Sequence, residues 1–168
     1  MATGERARSD DLTHFAQLQA NPTKFHIFHA LRIIEAHYAD KPRLGTSRRA
    51  AQDPVRLGQE AELAFPTSTI SDFKLGSPSI LTNRAFGLFG PMGPLPLHLT
   101  EFARERRRNH RDTTFIAFAN TFTHRLMSLF YRAWAAGQPA PSFDRPEQDP
   151  FERKVADFGV LRQGTGQA

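Results

Sequence analysis

Between Thr113 and Ala136 the apolar residues Phe115, Phe118, Ala119, Phe122, Leu126, Leu129, Phe130 and Ala133 stand at offsets 0, 3, 4, 7, 11, 14, 15 and 18. That spacing lines up one face of an α-helix. A second stripe, Ile116, Met127, Tyr131 and Trp134, follows another side of the same helix. At 1.5 Å per residue the helix spans roughly 35 Å, more than the rest of so short a chain can cover on both sides. Two apolar faces require two neighbours, and one of them can come from another chain. Asp112 is placed to cap the helix start, and Gly137 followed by Pro139 stops its end.

Upstream lies a stiff corner. Gly87, Gly90 and Gly93 accept positive φ, while Pro91, Pro94 and Pro96 fix φ and each delete a backbone donor. A phosphate cradle needs consecutive N–H groups and a lysine; the prolines remove the donors and no lysine follows. A rigid strand-to-helix corner is the favoured reading, feeding a helix from about Pro96 to Asn109. That helix carries Leu99, Phe102 and Ala103 on one side and most of the arginines on the other.

Before the corner the elements are shorter. Asn21 and Pro22 predict a helix over 22–38 with a face of Ile27, Ala30, Leu31, Ile34 and Tyr38, widened by Phe25 and Phe28. Residues 40–53 read as an exposed, basic, polar loop. Short strands are predicted over 54–58, 61–65 and 69–75, and a longer one over 79–89. At the N-terminus, Asp10 or Asp11 can cap a short helix through Leu12, Phe15 and Leu18. After Gly137, Pro139, Pro141, Pro146 and Pro150 predict an extended linker, with a further helix beginning over 151–161. The fold class is α+β, organised as a polar tail with a short helix (1–21), a helix plus small β region (22–90), the corner and long helical segment (91–137), and a proline-rich linker (138–168).

Composition narrows the function classes. No cysteine is present, so there is neither a disulfide framework nor a thiolate metal site. No stretch approaches the ~20 apolar residues of a membrane span, and the first ten residues lack the apolar core of a secretory signal; the expectation is a cytoplasmic protein. Of the net +5 charge, +3 falls within Glu101 to Arg111, where Arg104, Arg106, Arg107, Arg108 and Arg111 face Glu101 and Glu105. The run fits a solvated helix face, a docking surface for an acidic protein, or phosphate contacts of a nucleic-acid-binding module. Fifteen Phe against two Tyr and one Trp favour plain packing over ligand recognition through polar aromatic tips.

No catalytic, cofactor-binding or metal constellation stands out. His26 and His29 sit three apart on one helix, but a catalytic zinc site takes three protein ligands. His124 reads as a polar contact in the long helix. His98, Thr100 and Glu101 lie together near a helix start, where Thr100 and Glu101 are expected to serve the first turn.

The segment Phe86-Gly87-Leu88-Phe89-Gly90-Pro91-Met92-Gly93-Pro94-Leu95-Pro96-Leu97-His98-Leu99-Thr100-Glu101, followed by His124-Arg125-Leu126-Met127-Ser128-Leu129-Phe130-Tyr131-Arg132-Ala133-Trp134, resembles TssG, a baseplate subunit of the type VI secretion system of Gram-negative bacteria. Phe25, Phe28, Arg32, Ile33, Ile34 and Glu35 look like that family's early helix, and Pro54-Val55-Arg56-Leu57 with Leu63-Ala64-Phe65-Pro66 look like its first strand region. The similarity runs from about residue 12 to about residue 160 and covers the family's front half. It implies a non-catalytic, cofactor-free structural subunit that joins TssF and TssK in the platform of the contractile tail, cytoplasmic and docked to the membrane complex. The helix-packing or partner-contact residues would be Phe115, Phe118, Phe122, Leu126, Leu129, Phe130 and Trp134. The arginine run would provide basic docking. A nucleic-acid-binding module using Arg104 to Arg111 is the alternative.

Overall fold

The computed structural model describes residues 13–145. The expected cap at Asp10 or Asp11, Leu12, and the expected helix over 151–161 lie outside them. Within them the fold is α+β: α1 over 13–20, a 3-10 turn Pro22–Lys24, α2 (Ile27–His37), a second 3-10 turn Ala50–Gln52, β1 (Val55–Gln59), β2 (Ile70–Lys74), β3 (Ser79–Asn83), α3 (Leu97–Asn109), α4 (Thr114–Ala136) and α5 (Ala140–Asp144).

The strand order is β1-β3-β2, with β3 parallel to β1 and antiparallel to β2. Leu57, Leu81 and Phe73 fall opposite one another across the three strands. All three are buried, and with Val55 and Ile70 they pack on Phe15, Leu18, Ala30, Leu31 and Ile34 from α1 and α2. A second cluster, Ala61, Phe89, Ala103, Ile116 and Ala119, ties α3 and the first turns of α4 to the corner.

Four expectations about helices, strands and the linker change in detail. The helix predicted over 22–38 is broken at Phe25 and His26, because the Thr69 hydroxyl donates to Phe25 O (3.2 Å) and accepts from Ile27 N (3.0 Å). Residues 61–65 form no strand. They step across the end of the sheet, where Glu60 and Glu62 turn to the arginines of α3. The strand predicted over 79–89 stops at Asn83, whose side chain donates to Gly58 O (2.8 Å) and accepts from Phe86 N (2.8 Å), turning the chain out of the ladder. Beyond Gly137 the described part of the expected linker contains α5, with Pro139 and Pro141 at its start, where a missing N–H costs nothing, while Pro146 and Pro150 lie outside the described residues.

The loop over 40–53 is only partly exposed. Leu44 is fully buried, and its N–H donates to Glu35 Oε1 (2.9 Å). The same carboxylate accepts from Tyr131 Oη (3.1 Å) and lies 3.9 Å from Arg43, so one buried glutamate joins α2, the loop and α4. Burial and the Glu35 charge push the Tyr131 hydroxyl far above its ordinary pKa, which keeps it a donor. Arg43 donates to Pro141 O and Arg145 O, Arg145 donates to Tyr38 O and Lys41 O, and Arg32 pairs with Asp144. These contacts fasten α5 to α2 and the loop.

Candidate partner-docking surface

The two faces of α4 have different tasks. The face turned inward carries Ile116, Ala119, Thr123, His124, Met127, Ser128 and Tyr131. It lies against β1, an edge strand whose outward N–H groups need acceptors. Leu57 N donates to His124 Nδ1 (3.1 Å) and Gln59 N donates to Asn120 Oδ1 (2.9 Å). The match is geometric: residues four apart on a helix rise about 6 Å, close to the ~6.7 Å between alternate strand residues. Gly58 stands between them, and a Cβ there would lie 2.9 Å from Asn120 Nδ2.

With Nδ1 accepting from the backbone, His124 Nε2 holds the proton and donates to buried Asp53 (2.9 Å), which also accepts from Ser47. Both ring nitrogens and both carboxylate oxygens are engaged. The arrangement holds the loop end against α4 and β1.

Because covering the strand edge demands Asn and His, the phenylalanine stripe faces away from the chain's own core. Phe118, Phe122 and Leu126 are 61%, 51% and 48% exposed, and Leu129 and Phe130 are comparable. The rings form a ridge: Phe102 meets Phe115 edge-on, Phe118 meets Phe122 edge-on at 5.4 Å, and Phe130 stacks on Phe86 at 5.2 Å. Phe115 is half-buried on Phe89, and Trp134 stacks on Phe28. Exposed apolar side chains gathered on one helix face make this face the candidate docking surface.

The corner is clamped to the sheet. The buried amide of Gln59 donates to Phe89 O (2.7 Å) and accepts from Phe89 N (2.8 Å). Gly90 N donates to Thr100 Oγ1 (3.1 Å), so Thr100 serves the corner rather than the first turn of α3, while His98 and Glu101 face solvent. Two donors that an anion would need are thereby used. Gly87 has φ +148°, and a Cβ on it would sit 2.3 Å from Gln59 Oε1. Gly87→Ala is expected to lower unfolding free energy by about 2–4 kcal/mol through backbone strain and loss of the amide clamp, read as a lower urea midpoint with unchanged m-value.

The arginines of α3 are paired within the chain, two or more to a carboxylate at Glu60 and Glu62. Arg104 and Arg108 reach Glu62 at 2.7 and 2.8 Å, Arg107 reaches Glu60 at 3.3 Å, Arg84 reaches Glu60 at 2.7 Å, and Arg106 reaches Asp112 at 2.7 Å. Arg111, exposed at φ 54°, makes the turn into α4. The Thr114 hydroxyl and Thr114 N (2.9 Å) both donate to Asp112, and these bonds with the Arg106 contact hold its carboxyl well below the usual range.

Glu60, Glu62, Arg84, Arg104 and Arg108 line a cleft of about 420 Å³ rimmed by exposed Phe65 and Met92. Burial pushes the Glu60 and Glu62 carboxyls up. Hydrogen bonds and charge from Arg84 and Arg107 at Glu60, and the Leu63 N–H with Arg104 and Arg108 at Glu62, outweigh it and hold both below the ordinary value. Groups depressed on folding contribute stability that is present above the unfolded carboxylate pKa of about 4.3 and is lost as pH falls through the lower folded value. The chain is therefore expected to lose stability below about pH 4, and Glu60→Gln with Glu62→Gln to flatten that part of the pH profile of the urea midpoint.

Among the described residues no group of three or more His, Cys, Asp or Glu side chains is placed to hold a metal ion. His26 instead caps α2, accepting from Phe28 N. No helix among them is long and apolar enough to cross a membrane.

A family model described as "Type VI secretion, TssG" matches residues 21–164. No curated protein and no solved structure matches the chain. The match runs through α2, the sheet, the clamped corner and the two-faced α4, and on that ground the chain belongs to the TssG family, components of the type VI secretion baseplate.

Proposed function

We propose that the chain is a non-catalytic structural subunit that assembles with TssF and TssK into the baseplate wedge on the cytoplasmic side of the membrane, contributing the outer face of α4 as its contact. The observation that carries this reading is the division of labour on α4: one face is consumed by β1 and Glu35, and the other leaves a ridge of phenylalanine and leucine in water. Desolvating large apolar side chains supplies affinity, and polar rims set register.

The arginine run favours this reading over a nucleic-acid-binding one, since Arg104, Arg106, Arg107 and Arg108 are already paired with carboxylates of the same chain. A phosphate would compete with Glu60, Glu62 and Asp112 for these guanidinium groups.

The test is co-expression of the tagged chain with TssF and TssK, followed by size-exclusion chromatography. Co-elution as one species is the expected result. Elution of the chain alone, as a stable monomer at high concentration, would overturn the proposal.

A further inference from the structure

The α4 ridge has a polarity of its own. From Thr113 to Phe143 the sequence contains no Asp or Glu, yet it contains Arg125 and Arg132. They stand seven positions apart, two helical turns, along the edge of the ridge that adjoins the loop over 40–53. Arg125 donates to Ser47 O (3.4 Å) and Arg132 to Gly45 O (3.1 Å), so both guanidinium groups are steered to that edge while remaining exposed. Arg48 and Arg49 are exposed on the same loop. The opposite edge is aromatic, formed by Phe130 against Phe86 and Phe28. The ridge is thus an apolar track with one cationic rail.

We propose that this track receives an amphipathic helix from a different protein, one whose apolar stripe is bordered on a single side by carboxylates about two turns apart. This rests on the reading that the outer face of α4 docks a partner, and it adds what kind of element docks there. A helix of 23 residues presents ridges and grooves that another helix fills best. The rail selects for acidic residues and fixes which way round the incoming stripe lies. A second copy of this chain does not fit: packed antiparallel, two such faces oppose arginine to arginine, and packed parallel they set the arginines against the aromatic edge, with no carboxylate on either helix to meet them.

Two synthetic helical peptides of 24 residues with the same leucine stripe, one with Glu and one with Lys on one flank, test this. Each is titrated by fluorescence anisotropy against the full chain, against Arg125→Glu/Arg132→Glu, and against Phe122→Asp. The Glu peptide is expected to bind the unaltered chain roughly five- to tenfold tighter than the Lys peptide at low salt. That preference should shrink in high salt and reverse in the double arginine variant, while Phe122→Asp should abolish binding of both. Equal binding of the two peptides would overturn the cationic rail and leave apolar docking standing. Binding of neither peptide would overturn the helix-receptor proposal, and co-elution with TssF and TssK would still decide whether α4 docks a partner. Concentration-dependent dimerisation of the chain that Phe122→Asp removes would overturn it in favour of a second copy.

Discussion

Phe122→Asp combined with Leu126→Asp is expected to abolish co-purification of the chain with TssF while leaving its urea midpoint nearly unchanged. Both side chains are about half exposed on the outer face of α4, and substitutions at such positions usually alter stability by no more than about 0.5 kcal/mol. In an interface the same aspartates would meet apolar surface with only Arg125, at the edge of the ridge, near them, and a buried charge that is not fully paired costs several kcal/mol. Two such costs exceed what a complex of ordinary affinity can absorb. The measurement is recovery of TssF on the tagged chain, beside urea melts of both forms. Unchanged recovery would move the contact elsewhere; a collapsed melt would show the ridge to be part of the chain's own support.

Glu35→Ala should show the reverse pattern. Glu35 is buried and accepts from Leu44 N and Tyr131 Oη, both fully buried, with Arg43 nearby. Removing the carboxylate strands both donors and leaves a void. The expected loss is about 3–5 kcal/mol, a large share of the total for a domain of this size, read as a urea midpoint shifted far down or as failure to fold. Glu35→Gln keeps an acceptor and should recover part of the loss. A midpoint for Glu35→Ala within error of the unaltered chain would show the junction to be dispensable.

How far the sequence reaches is clearest on α4. Its extent, Thr114–Ala136, was legible from a periodic stripe bounded by Asp112 and Gly137, all local signals. Which stripe faces inward was not. Hydrophobicity alone favours the phenylalanines, but the inward face is decided by two backbone donors on β1, met by Asn120 and His124 at separations of 61 and 67 residues. The break in the helix predicted over 22–38 has the same cause, since Thr69 lies 42 positions from Ile27. The corner was legible as stiff from its glycines and prolines, whereas the Gln59 amide that holds it left no local mark. The pairing of the arginine run with Glu60 and Glu62 was equally hidden, because Glu62 sits in a stretch that reads as a strand and Glu60 in the gap before it.

The way β1 is sealed by α4 also limits how subunits can be added. A sheet edge with unmet donors invites another chain to donate a strand. Here Leu57 and Gln59 are already answered from within. At the other margin, β2 departs from regular register between Ile70 and Asp72 and carries Lys74, two devices that discourage strand addition. Among the described residues both margins are therefore poor templates for sheet extension, which agrees with the proposal that this protein meets its neighbours through a helix.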